Sequence, residues 1–166
     1  MKNAQDYMEV QRPPKWAGLS VTLLSAIFWY GFIQQVVFNR SFGDTPAPNS
    51  LLVFFGLVIP IGFLSIKMVT QVKAEGLYVR ISPFHLRSKV FRFEEIDELE
   101  VLEYSPIKRF GGWGIRFNLK GETAYTMRGR KAVKLKTRYG TYFIGSRSPE
   151  TLSQELHQRM LEYKHQ

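Results

Sequence analysis

The sequence predicts a two-helix transmembrane hairpin followed by a mainly-β domain of about seven antiparallel strands and a C-terminal α-helix. Three observations carry this reading. Two long stretches in the first half lack charge. Past Lys73 the pattern changes to short alternating runs broken by glycine. The last twenty residues carry helix-start signals and an apolar stripe.

The first stretch, "WAGLSVTLLSAIFWYGFIQQVVFN", runs 24 residues from Trp16 to Asn39 without a charge. A bilayer core needs roughly 20. The second, from Thr45 to Ile66, contains "LLVFFGLVIPIGFLSI" and meets Lys67 and then Lys73. Helices near 17–37 and 51–72 follow, with a loop over about 38–50. Pro60 is expected to kink the second, and Lys67 to snorkel to the interface. Core helices of soluble proteins seldom run so long without charge. A cleaved signal peptide is disfavoured, because its apolar core is roughly 7–15 residues and a small-residue cleavage site follows it.

Orientation follows from the basic flanks. Lys2, Arg12 and Lys15 precede the first helix; Lys67, Lys73 and Arg80 follow the second. The connector carries one Arg and one Asp. Positive-inside bias predicts both termini in the cytoplasm and the connector outside. Residues 1–16 are then a cytoplasmic N-terminal segment, 17–72 the hairpin, and 73–166 a cytoplasmic domain.

In that domain, "GLYVRIS" sets Leu77, Val79 and Ile81 on one face, as a period of two requires. "HLRSKVFRF", "LEVLEY", "IRFNL", "TAYTM", "KAVKLKT" and "TYFIGS" complete seven short runs. Glycines at 121, 129 and 140 fall at hairpin spacing. The glycine-rich "GGWG" is expected to be a turn, with Trp113 packed on the sheet. Ser148 as N-cap, Pro149 at the first helical position and Glu150 beside it start a helix. Leu152, Leu156, Met160 and Tyr163 form its apolar face.

Seven strands and one closing helix, with "GLYVRISPF", "FRFEEI", "FGGWGIRF" and "AYTMRGRKAVKLKTRYGTYFIGSRSPETL", resemble the bacterial PH-like (pleckstrin-homology-like) domain family. The resemblance covers about residues 73–163, and more loosely the whole chain. It implies a small β barrel with one helix in a bacterial inner-membrane protein. PH domains elsewhere often bind lipid headgroups through cations near their first two strands. Arg80, Arg87, Lys89 and Arg92 occupy that region here, without a phosphoinositide signature. Related domains also oligomerise or dock on membrane complexes, and exposed apolar residues between Val101 and Phe110 would favour that role.

Composition narrows the chemistry. Cysteine is absent, which excludes disulfides, thiolate metal sites and cysteine nucleophiles. His85, His157 and His165 show no ligand spacing, and no nucleophile elbow, phosphate loop or zinc motif occurs. The expectation is a non-enzymatic protein with no metal and no cofactor.

Charge is more telling. The chain carries 23 Lys and Arg against 14 Asp and Glu. Arg128, Arg130, Lys131, Lys134, Lys136 and Arg138 form an acid-free run, three of them alternating along one predicted strand. These six are the candidate contacts for an anionic surface. A cation beside an anionic leaflet is worth about 1 kcal/mol. The competing account pairs them with the acidic run from Glu94 to Glu103, in surface bridges of about 0–1 kcal/mol each. The expected partners are the bilayer, anionic headgroups, and membrane proteins or a second copy. Nucleic acid is disfavoured, because the nearby aromatics alternate into the core.

Overall fold

The computed structural model describes residues 7–164. Lys2 and His165, which entered the sequence reading, lie outside the described residues. The chain divides into two compact units: residues 13–66, and a second unit built from residues up to Arg12 together with those from Lys67 onward.

The first unit is helical. Helix α1 (Lys15–Val36) is 22 residues long, enough to span roughly 33 Å at 1.5 Å per residue. It is apolar enough to cross a membrane, with a mean hydropathy of 1.5 in its best window. A shorter apolar helical run follows, made of α2 (Asn49–Val53), a π-helical turn (Phe54–Val58) and α3 (Ile59–Leu64). It falls below the length of a membrane-crossing helix.

The predicted second helix over 51–72 is therefore corrected. Helix stops at Leu64, and Lys67–Lys73 is a strand. The cause is a change of period. "KMVTQVK" alternates and buries Met68, Thr70 and Val72, and that alternation lay hidden behind the apolar run before it. Lys67 opens this strand instead of snorkelling from a helix.

Local polar contacts organise the unit. Pro60 cannot donate to the turn before it, and a π-turn sits immediately upstream. The carbonyl of Gly56 accepts instead from Ser25 Oγ and, at 3.0 Å, from Trp29 Nε1 of α1. Phe28 stacks on Phe55 with ring centroids 5.2 Å apart. At the connector the Gln35 amide does the work of a loop backbone. Its Nε2 donates to the Ala47 carbonyl and Asn49 Oδ1, both at 2.8 Å. Its Oε1 accepts from the backbone N–H groups of Phe42 and Ala47.

The second unit is two sheets and a helix. Strands β1 (Met8–Gln11), β2 (Lys67–Lys73), β3 (Gly76–Ser82) and β4 (Lys89–Arg92) form an antiparallel sheet in that order. Strands β5 (Ile96–Glu103), β6 (Gly114–Phe117), β7 (Thr123–Thr126), β8 (Lys131–Thr137) and β9 (Gly140–Gly145) form the other, ordered β5-β8-β9-β7-β6. All seven predicted runs are strands. Two more join them: β1, from a segment read as a tail, and β2. One pair, β7 with β9, is parallel, whereas the prediction was antiparallel throughout. The hairpin β8–β9 places β9 between β8 and β7, and β7 then runs alongside it in the same direction. Among the described residues the strands form two sheets and no closed barrel, where the resemblance implied a barrel.

The short helix α4 (Pro106–Phe110) follows β5 and ends on Gly111, whose φ of 72° supplies the left-handed turn that suits a C-cap. It drops Phe110 onto Phe143, Ala124 and Ala132. Helix α5 (Pro149–Lys164) buries Leu152 and Leu156 completely, against β8, β5 and β3. Tyr163 meets the Phe93 ring at 5.8 Å. Its apolar face is thus mainly core. Trp113 donates its indole N–H to the Gly129 carbonyl at 2.9 Å, which ties the glycine-rich turn to the turn before β8.

Candidate functional site

The six predicted cations separate into groups once β5 and β8 are in register. Glu98 lies opposite Lys136, Glu100 opposite Lys134, and Glu103 opposite Lys131. Lys134 Nζ meets Glu100 at 2.7 Å, and Lys136 meets Glu98 at 3.7 Å. The acidic and basic runs thus face each other across one ladder. Arg138 lies in the β8–β9 turn, donates to the Glu94 carbonyl at 2.9 Å and covers the Tyr139 ring.

The remaining three converge elsewhere. Arg128, Gly129, Arg130 and Lys131 line a shallow cavity of about 220 Å³ with Ser146 and Arg147. Gly129, at φ 81°, makes the turn that presents Arg128 and Arg130 on either side of it. Among the described residues these two arginines form no ion pair. Lys131 reaches Glu150 on α5 at 3.4 Å. The backbone N–H of Glu150 itself, and after it the Lys131 ammonium, hold the Glu150 carboxyl below its ordinary range.

Besides Glu150, a second acid meets this rim. Glu9 of β1 accepts from Ser146 Oγ at 2.6 Å and from the Arg147 backbone N–H at 2.8 Å. Tyr7 also donates to it, and burial pushes the Tyr7 phenol up to about 12. Arg147 donates in turn to the Val10 carbonyl. Buried Gln11 completes the tie, with Nε2 donating to the Gly145 carbonyl at 2.8 Å. Sequence reasoning missed Glu9, Ser146 and Arg147, because they meet across more than 130 residues. The only local signal was the helix start after "IGSRS".

These contacts locate the rim on the domain. β1 ends at Gln11 and β2 begins at Lys67, where Gln11 lies opposite Met68. That is the end where the chain leaves for residues 13–66 and returns from them. Gly145 and the start of β8, with Ala132 opposite Gly145, lie at the same end. The Arg128–Lys131 turn and Arg147 therefore share the junction end of the domain. Arg138 occupies the opposite end of β8, and Lys134 and Lys136 lie between.

The cations offered by the resemblance are also divided. Arg80 approaches the junction end of β3, where Ser82 pairs with Lys67. Arg92 sits at the far end, beside Glu94. Between Val101 and Phe110, Ile107 is 61% exposed, while Phe110 is buried. No protein-family model matches the chain, and no curated protein matches it.

Proposed function

We propose that this protein is a membrane-anchored, non-enzymatic binding module: a PH-like domain that meets an anionic bilayer surface with its junction end. The observation that carries the reading is the Gln11–Gly145 contact. Through it, the strand ends that lead into the apolar helices are the ends that carry Arg128, Arg130, Lys131 and Arg147. A bilayer holding residues 13–66 would lie against that basic rim, where each cation contributes about 1 kcal/mol. Of that rim, Lys131 is shared with Glu150, and the remaining cations of the run, Lys134, Lys136 and Arg138, are met by Glu100, Glu98 and the Glu94 carbonyl.

The pairing of β1 with β2 supports a two-pass anchor. Both ends of the 13–66 insert begin in one sheet, so an even number of crossings is required. If α1 crosses, Asn49–Leu64 returns, spanning roughly 24 Å with interfacial residues completing the path. The basic flanks support a cytoplasmic side for the domain and both termini. The mainly-β domain of two sheets closed by one C-terminal helix supports the PH-like reading, and with that reading goes a bacterial inner membrane.

The full chain, reconstituted in nanodiscs with a fluorophore on Ser148→Cys, tests the surface contact. The account predicts a blue shift in discs containing phosphatidylglycerol that salt reverses. Arg128→Gln with Arg130→Gln removes it, while Lys134→Gln with Lys136→Gln, an equal change of charge, leaves it. Equal spectra in neutral and anionic discs contradict the reading. The second reading is an assembly subunit, favoured by edge strand β6, where Phe117 is exposed and Leu119 stands fully open in the turn that follows. Crosslinked dimers that Phe117→Ser abolishes would support it.

A further inference from the structure

The β3–β4 loop carries two large apolar side chains that the described residues leave mostly exposed. Phe84 is 66% exposed and Leu86 is 90% exposed. Single exposed apolar residues are ordinary, but a pair at one loop tip marks a contact surface. The loop is built to hold them outward. The His85 backbone N–H donates to the Ile81 carbonyl at 2.8 Å, and Arg80 Nε donates to the His85 carbonyl. The His85 ring turns inward, 5.7 Å from the Tyr125 ring. With His85 anchored, its neighbours on either side point away from the core.

Position and charge decide what they meet. Ser82, one residue before the loop, pairs with Lys67, the residue that receives the chain from the helical insert. The loop therefore shares the junction end with that connection. Beside it lies a cavity of about 200 Å³ lined by Lys67, Tyr78, Arg80, Ser82 and Ser88, among others, with no acid in its wall. Arg87 flanks Leu86 in sequence. An aromatic and a leucine rimmed by cations match the boundary between headgroups and acyl chains, where apolar side chains sink and cations stay with phosphates.

We propose that Phe84 and Leu86 insert into the headgroup–acyl boundary of the bilayer that holds residues 13–66, with Lys67 and Arg80 facing a lipid phosphate. The proposal rests on the membrane-anchored reading above. Inserted, the loop adds a second point of attachment beside the covalent one, and so fixes the orientation of the domain.

The test uses the full chain in phosphatidylcholine–phosphatidylglycerol nanodiscs, with single cysteines carrying an environment-sensitive fluorophore. The positions are Phe84→Cys, Leu86→Cys, Leu24→Cys in α1, and Leu119→Cys. Leu119 is fully exposed and apolar, in the turn of the β6–β7 hairpin away from the junction end. Nitroxide-bearing lipid should quench labels at 84, 86 and 24 severalfold more than the label at 119, and aqueous iodide should do the reverse. Lipid quenching at 24 but iodide quenching at 84 and 86 overturns this insertion alone. Iodide quenching at all four overturns the anchor as well. Protection of 84 and 86 from both quenchers would assign the loop to a protein contact, such as a second copy, and also overturn the proposal.

Discussion

Arg109 and Glu122 make a two-bond charged contact in the β domain. The guanidinium grips the carboxylate with two bonds, Nε at 2.8 Å and Nη2 at 2.7 Å, while lying over the Phe143 ring. The Arg109 hydrogen bond holds the Glu122 carboxyl below its ordinary value of 4.5. The depressed pKa sets the sign: the pair's stabilisation is fully present above 4.5 and fades as pH falls through the lowered folded value. Because Arg109 is partly open to solvent, the pair is worth about 1 kcal/mol. Arg109→Met should cost about that much at neutral pH, and thermal melts below pH 4.5 should converge on those of the parent. An undiminished difference in acid would show that packing on Phe143 carries the effect. Gly76 is a second sensitive residue. A Cβ there would collide with the Phe91 carbonyl oxygen, so Gly76→Ala should destabilise the β domain by about 3 kcal/mol in denaturant titration. By contrast, the Lys134–Glu100 bridge is half open, and Lys134→Gln should change stability by less than about 1 kcal/mol.

At the scale of elements, the helical insert depends on close approach at Gly56. A Cβ there would meet the Trp29 indole at 3.1 Å, and the Gly56 carbonyl holds both Ser25 and Trp29. Interhelical hydrogen bonds in membranes contribute about 0.6–2 kcal/mol. Ser25→Ala with Trp29→Phe should lower the unfolding temperature of the insert in detergent, and Gly56→Leu should lower it further. An unchanged melt for Gly56→Leu would mean the helices do not pack through this contact. Element boundaries also explain what sequence reading could reach. The seven runs after Lys73 were legible because alternation and glycine agreed. Strand β2 was not, because "KMVTQVK" begins two residues after an apolar helix, and so short an alternation reads as that helix's polar end. Strand β1 is four residues long and finds its partner across the whole insert. No local pattern announces a strand whose stability comes from Gln11, Glu9 and residues 145–147.

For the whole molecule, the β domain is assembled from both sides of the insert. The candidate site was legible as six basic residues in a row, yet only register shows that Lys134 and Lys136 are met by Glu100 and Glu98. Only β1 shows that the chain leaves and re-enters the domain at one end, at Gln11 and Lys67. Pairing of Met8 with Gln71 and Gln11 with Met68 forces both junctions onto one side of any membrane. Single cysteines in this cysteine-free chain test that directly. An impermeant maleimide applied to intact cells should label Ser41→Cys in the connector and spare Met8→Cys and Lys120→Cys. After the cells are opened, all three should react. Labelling of Ser41→Cys and Lys120→Cys from the same side, or of Met8→Cys and Lys120→Cys from opposite sides, would contradict a two-pass insert within a single cytoplasmic domain.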